Sequence, residues 1–356
     1  MNPHALSNPS QLIVRNRGWL ECQQLLMVGL PADHLAQELL SEGMAEQITG
    51  LSRDFSDYRQ INQSWESDPA LSLNYAPVLE NDDGKSFDGI LMFLQKSKPL
   101  MDFWLLMAQS MLAEGGVIWL VGENGEGIKS WKKRLKHSFG QVKVIDNARH
   151  CVLLEASAPV EKVKSFSMEE HFQSFTVQQG NTSLTMRSLP GVFSHGRLDV
   201  GTQILLETLS ELPEGRVLDF GCGAGVISAY INSLPGKRDL TLVDCDALAI
   251  ESSRKTLGDN SAADSFTVLP SDGLSEVDGR FNLIVSNPPF HQGVKTHYVV
   301  TEQFLKDSYH HLLPCGEVYI VANSFLKYPA IIMETFGQCE TLCNQSGFSI
   351  YKAVKR

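Results

Sequence analysis

Arg216-Val217-Leu218-Asp219-Phe220-Gly221-Cys222-Gly223-Ala224-Gly225 decides the fold. An apolar run ends on an acid and enters three glycines at alternate positions. A helical stretch follows, from Ala224 to Leu234. Glycine is needed where the chain turns tightly from strand to helix and where its backbone must approach a ligand closely. The helix start adds free N–H groups and a partial positive charge. Nicotinamide and flavin folds use a related glycine run, so the surrounding sequence has to discriminate.

Downstream, strand and helix patterns alternate. Leu240 to Asp244 reads as a buried strand and Ala247 to Leu257 as a helix. Ser265 to Pro270 and Phe281 to Asn287 read as further strands, Val299 to Leu313 as a helix and Gly316 to Ala322 as a fifth strand. The apolar runs around Cys339 to Cys343 and from Phe348 to Val354 suit a hairpin. Upstream, Phe175 to Arg187 suits a hairpin turned at Gly180-Asn181, and a helix opens near Asp199. Alternating units of this kind predict an α/β, doubly wound, mostly parallel sheet. Ligands of such sheets bind outside the carboxyl ends of the strands.

Three features sharpen the glycine turn. Its spacing is GxGxG after Asp219, not GxGxxG. Asp244 ends the next strand, where an acid accepts ribose hydroxyls. Asp272, in Ser271-Asp272-Gly273, follows the third strand, where it can accept an adenine amino group. The candidate cofactor set is Asp219, Phe220, Gly221, Cys222, Gly223, Gly225, Asp244, Cys245, Asp272, Gly273 and Asn287. Together the three acids and the glycines resemble the cofactor site of class I S-adenosylmethionine-dependent methyltransferases.

Asn287-Pro288-Pro289-Phe290 ends the fourth strand. Consecutive prolines stop the ladder and fix φ, so the chain leaves the sheet rigidly. The Asn287 carboxamide oxygen, with the Pro288 carbonyl, can then accept hydrogen bonds from a planar amino group. That would localise the nitrogen lone pair. Phe290 offers a face for a stacked base, worth ~1–3 kcal/mol. These four residues are the candidate catalytic set. His195, His291 and His297 lie near them and are read as structural, because methyl transfer from a sulfonium needs little general-base help.

This pair of motifs resembles the amino-methyltransferases, whose targets include adenine N6, cytosine N4, glutamine amides and guanine N2. The segment Ser286 to His291, Pro190-Gly191-Val192-Phe193-Ser194 and Leu198-Asp199 with Gly201-Thr202 resemble the bacterial small-subunit (16S) ribosomal RNA guanine-N2 methyltransferases. That resemblance implies methyl transfer from S-adenosylmethionine to one guanine of 16S rRNA within the 30S subunit. From its cysteines and the lack of a long apolar run or a metal-ligand spacing, the enzyme is expected to be cytoplasmic, without a membrane or a metal, and a monomer. A protein glutamine N5 methyltransferase and a non-catalytic RNA-binding or assembly protein stay open as alternatives.

The first half repeats part of the plan. Phe87-Asp88-Gly89-Ile90-Leu91 matches Phe281-Asn282-Leu283-Ile284-Val285, and Gly116-Val117-Ile118 matches Gly316-Glu317-Val318. Two tandem Rossmann-like methyltransferase domains are expected, the first degenerate (residues 1–158) and the second catalytic (159–356). In register, Met27 replaces Asp219, Pro31 replaces Gly223, Asp33 replaces Gly225, and Phe93-Leu94-Gln95-Lys96 replaces the Asn-Pro-Pro-Phe tetrapeptide. Such a copy is expected to bind no cofactor and to serve as a support or an RNA contact. Its densest basic run holds Lys129, Lys132, Lys133, Arg134 and Lys136 around Trp131, a candidate phosphate contact or simply a solvated helix face. Glu155 to Ser167, small and polar with one proline, reads as a linker.

Composition bounds the rest. The 356 residues are 43% hydrophobic and 20% charged, which excludes a disordered or collagen-like chain. The net charge of −11 is shared by both halves and argues against a general nucleic-acid coat protein. Seven cysteines without a paired spacing read as free thiols. There is no long apolar run to cross a membrane.

Overall fold

A strand buried on both faces must be apolar along its length, and Leu25-Leu26-Met27-Val28 and Ile90-Leu91-Met92-Phe93 meet that need in the first half. Gln24–Val28 (β1), Gln47–Ser52 (β2), Leu71–Tyr75 (β3), Phe87–Phe93 (β4) and Leu112–Glu123 (β5) pair in parallel. Phe139–Ala148 (β6) and Cys151–Pro159 (β7) close the sheet antiparallel, giving the order β3-β2-β1-β4-β5-β7-β6. Asn8–Arg15 (α1), Leu35–Ser41 (α2), Phe55–Trp65 (α3), Lys98–Met111 (α4) and Ile128–Leu135 (α5) connect or flank these strands. The computed structural model describes residues 5–66, 68–80, 84–260, 266–288 and 295–356.

The second half opens with the antiparallel hairpin Gln173–Gln179 (β8) and Thr182–Ser188 (β9), followed by Val200–Thr208 (α6). Gly215–Phe220 (β10), Val226–Ser233 (α7), Arg238–Asp244 (β11), Ala247–Asn260 (α8), Phe266–Pro270 (β12) and Phe281–Ser286 (β13) come next. Lys295–His310 (α9), Leu312–Asn323 (β14), Tyr328–Phe336 (α10), Glu340–Gln345 (β15) and Phe348–Val354 (β16) complete it. The strand order is β12-β11-β10-β13-β14-β16-β15. Position by position this is the order of the first sheet. The β9 strand docks on α8, where Arg187 N–H donates to Thr256 Oγ1 at 2.9 Å and the Arg187 guanidinium pairs with Asp259.

Small details repeat with the topology. Asp88 accepts the N–H groups of Gln23 and Gln24 at 2.8 and 2.7 Å. Asn282, in the same register, accepts the N–H of Arg216 at 3.0 Å. A Cβ at Gly116 would stand 3.0 Å from the Ala113 carbonyl oxygen, and one at Gly316 2.8 Å from that of Leu313. Both positions therefore exclude a side chain for the same reason.

Two expectations need correction. The start of the expected linker, from Glu155 to Pro159, is the second half of β7. Ala156 is fully buried there between Ile118 and Val142, and Glu155 pairs with Lys143. The chain divides into units Met1–His171 and Phe172–Arg356, so the division lies beyond the 158/159 boundary. The physical reason is aromatic: Phe166 and His171 pack against Phe103 of α4, at ring centroids 5.3 and 5.0 Å apart. The helix α10 has no counterpart among the elements expected from the sequence.

Candidate functional site

The carboxyl ends of β10, β11, β12 and β13 lie side by side in the second sheet. The turn after β10 is tied to β11, since Gly221 and Cys222 both donate to the Val243 carbonyl. Ser271 N–H donates to the Asp244 carbonyl, and Ser286 Oγ donates to the Phe220 carbonyl at 2.8 Å. These bonds gather Asp219, the three glycines, Asp244, Asp272 and Asn287 along one edge. They are the residues that the sequence singles out.

The glycines have different reasons to be glycine. Gly225 caps α7 with φ 76°, and a Cβ there would stand 3.0 Å from Leu257 Cδ2. At Gly221 and Gly223, φ is 69° and 55°, and no described atom lies within 4 Å of where a Cβ would stand. Among the described residues, that face of the turn is open. Asp244 braces it, accepting Gly223 N–H with Oδ2 at 3.0 Å and Asp246 N–H with Oδ1 at 3.0 Å. The Ser253 hydroxyl holds the turn from behind, 2.9 Å from the Gly223 carbonyl oxygen.

Asp219 is fully buried. Its Oδ2 accepts from Ser228 Oγ at 2.7 Å, whereas Oδ1 has no hydrogen-bond partner among the described residues. Burial pushes this carboxyl up to about 7; the Ser228 bonds oppose the rise and the charge of Asp244 adds to it. Burial likewise pushes the Cys222 thiol well above its ordinary value, so this cysteine is packing rather than nucleophile. Phe220 stacks on Phe304 at 4.0 Å. Cys245 and Asp272 are exposed, and Gly273 takes φ 60° beside Asp272.

An orphaned buried carboxylate oxygen, an open glycine cradle and a neighbouring acid fit a ligand that brings an ammonium group and hydroxyls. S-Adenosylmethionine carries both, and these residues fit it. Among the described residues, no group of three or more His, Cys, Asp or Glu could hold a metal ion.

Asn287 leaves the end of β13. Its Nδ2 donates to Asp199 Oδ2 at 3.0 Å and to Thr202 Oγ1 at 2.8 Å. Asp199 caps α6, accepting Thr202 N–H at 3.0 Å. Sequence reasoning misses the contact of this pair with Asn287, because the partners lie 88 and 85 positions away in the chain. It misses Ser228 as well. Pro288 is buried; Pro289, Phe290 and His291 lie outside the described residues. His195 is described, with its Nδ1 2.9 Å from Ser188 Oγ. Burial lowers the pKa of His195, opposed by a bond to the Leu189 backbone. This histidine is fixed in the loop before α6, as a structural residue would be.

A family model described as the methyltransferase small domain matches residues 183–352, and one described as its N-terminal domain matches 10–175. The chain is 36% identical over 352 residues to ribosomal RNA small subunit methyltransferase C of Marinomonas sp. (strain MWYL1), covering 97% of each chain. It is 39% identical over 333 residues to the same enzyme of Stutzerimonas stutzeri (strain A1501), covering 93% of this chain and 95% of the relative.

The chain belongs to the ribosomal RNA small subunit methyltransferase C family.

A solved T. thermophilus structure, of a 16S rRNA N2 methyltransferase in complex with AdoMet and guanosine, shares the fold with a TM-score of 0.82 at 23% identity. The match covers 98% of this chain and 92% of that one. The two family models fall on the two units, so tandem Rossmann-like methyltransferase domains are the family's architecture.

In the first unit of this family member the same sheet edge is filled. By strand register, Met27 stands at the position of Asp219, Ser52 at Asp244, Pro77 at Asp272 and Phe93 at Asn287. Gly29 keeps the first glycine, at φ 66°, but a Cβ there would stand 2.8 Å from the Trp104 ring. Trp104 is fully buried and donates its indole N–H to the Pro77 carbonyl at 2.9 Å. The basic run lies on and just after α5, with Ile128, Trp131 and Leu135 buried and Lys129, Lys132, Lys133, Arg134 and Lys136 exposed. Arg134 is tied to Asp102 and lies over Trp131 at 5.2 Å.

Proposed function

We propose that this chain transfers a methyl group from S-adenosylmethionine to the exocyclic N2 amine of one guanine in 16S rRNA. The observation that carries the reading is the meeting of Asn287 with the open glycine turn at one sheet edge, in a chain of this family. Family membership favours rRNA over a protein glutamine. The net charge of −11 disfavours loose binding to naked RNA, so we take the assembled 30S subunit in the cytoplasm as substrate and a single chain as the working unit.

The roles follow from the chemistry of the side chains. Gly221, Gly223 and Gly225 would cradle the cofactor, with backbone of Phe220 at its methionine end. Asp219 would take its ammonium, Asp244 its ribose and Asp272 its adenine, with Cys222, Cys245 and Gly273 lining the turns. The bound cofactor supplies an electrophilic methyl sulfonium. Asn287 Oδ1, with the Pro288 carbonyl, would accept the guanine amino hydrogens and aim the nitrogen lone pair. Pro289 would hold the exit rigid and Phe290 would stack on the extruded base. As the N–CH3 bond forms the S–CH3 bond would break, S-adenosylhomocysteine would leave and the amine's proton would pass to water after attack, so orientation and proximity would supply most of the rate. The first unit binds no cofactor in this reading; Lys129, Lys132, Lys133 and Lys136 would meet phosphates, with Arg134 spent on Asp102. Lys132→Glu should then weaken binding to subunits at low salt, with little effect at high salt.

Incubation with labelled S-adenosylmethionine and 30S subunits from cells lacking the gene tests the main reading. Nuclease digestion and mass spectrometry should give N2-methylguanosine at one position. Label in protein, or on adenine or cytosine, overturns it.

A further inference from the structure

We propose that Asp199 and Thr202 are positioning residues that lock the Asn287 carboxamide with its oxygen toward the substrate amine. This rests on the role given to Asn287 above.

The terminal torsion of asparagine is broad and roughly two-fold, so an unrestrained carboxamide can present its oxygen or its NH2. Only the oxygen can accept a hydrogen from an amine. A flipped carboxamide would oppose donor to donor and repel the substrate. The second unit contains what prevents the flip. An ionised carboxylate accepts and cannot donate, so Asp199 must face the NH2 end of Asn287, and it does so at 3.0 Å. Thr202 Oγ1 lies 2.8 Å from the same nitrogen. The NH2 carries two hydrogens and meets two acceptors, which leaves Oδ1 as the group for a ligand.

The clamp itself is rigid. Asp199 is held by accepting Thr202 N–H at 3.0 Å across the first turn of α6. That turn sits directly on the sheet, because Gly201 has no side chain. A Cβ there would stand 3.0 Å from Val321 Cγ1 and 3.1 Å from the Phe348 ring. Thr202 is buried. A side chain on α6 thus sets the rotamer of a residue at the end of β13. Donation to a carboxylate also draws electron density toward the carbonyl oxygen, which strengthens it as an acceptor.

A capping role alone would explain Asp199 without Asn287, and variants separate the two. Asp199→Asn keeps a good N-cap but exchanges an acceptor-only group for one that can also donate. Thr202→Val removes the hydroxyl at nearly constant volume, and Thr202→Ser returns it. Each full-length variant is assayed for methylation of 30S subunits lacking the modification, for cofactor affinity by calorimetry and for melting temperature. Asp199→Asn and Thr202→Val should lower kcat about tenfold, the size of one hydrogen bond involving a charged or buried partner, with cofactor affinity unchanged. Thr202→Ser should restore kcat. In an Asn287→Ala background, Asp199→Asn should cost nothing further. Unchanged kcat in both single variants, a loss that Thr202→Ser fails to restore, or losses that add to Asn287→Ala would overturn the clamp. If Asp199→Asn melts early, the Thr202 pair decides alone. Full activity in Asn287→Ala would instead overturn the role of Asn287, and the clamp's purpose with it.

Discussion

The two units share a strand order, matched glycines before the fifth strand's apolar run and matched polar anchors at the start of the fourth strand. They differ where the strands end. One edge holds Asp219, Asp244, Asp272 and Asn287; the other holds Met27, Ser52, Pro77 and Phe93. Over one glycine turn no described residue lies within 4 Å of a Cβ at Gly221 or Gly223; over the other lies Trp104. The sheet therefore does not need the site. The open edge is a local departure from good packing: among the described residues, the buried Asp219 Oδ1 has no hydrogen-bond partner there. In the first unit, apolar side chains make the same edge part of the core.

Trp104→Ala attacks the filled edge. It should cost ~3–5 kcal/mol of stability in denaturant melts, while calorimetry still reads one cofactor per chain. A second equivalent of bound cofactor would break the contrast between the units. Asn287→Ala attacks the open edge. It should lower kcat about a hundredfold, as expected when a reacting group is misaimed, and leave the melting temperature nearly unchanged. Phe93→Ala, its counterpart by register, should do the reverse, lowering the melting temperature and sparing kcat per folded molecule.

Gly223→Ala forces a side chain into a left-handed conformation, worth ~1–2 kcal/mol, on the face left open for a ligand. Titration should show weaker cofactor binding with a modest loss of stability. A further effect concerns pH. The Asp219 carboxyl is raised from near 3.8 to about 7 by burial. The folded chain then holds a proton that the unfolded chain has lost between these values, so stability falls as pH rises through this window. Compared with Asp219→Asn, the cofactor-free wild type should lose melting temperature from about pH 4 to about 7 and level off above. Parallel melting curves for the two would show that this carboxyl does not titrate with folding.

Much of the second unit is legible because its buried strands are mainly apolar, each broken by a single polar residue, Asp219 between Val217 and Phe220 and Asn282 between Phe281 and Val285, and end on recognisable turns. The first unit is harder. In β2 and β3 the apolar positions are interrupted by Thr49, Gly50, Ser72 and Asn74, and Gly50 is small because Trp65 and Leu73 press on it. In β7 the run Glu155 to Pro159 has the composition of a loop, yet pairing with β6, joined by β5 at Glu155 and Ala156, makes it a strand. The glycine turn and the proline tetrapeptide announce themselves locally. The Asp199–Thr202–Asn287 contact does not, since nothing in spacing reports a bond between a helix start and a distant strand end.

Trp104 also has a consequence for history. Placing Asp at Met27 or Asn at Phe93 one residue at a time would bury a polar group among apolar neighbours, at a cost of roughly 1–3 kcal/mol or more each. Removing Trp104 first would open a void with nothing to bind in it. Every single step toward an occupied first lobe runs uphill, so the indole acts as a ratchet: with Trp104 over Gly29, no one substitution both opens that edge and gives it something to bind.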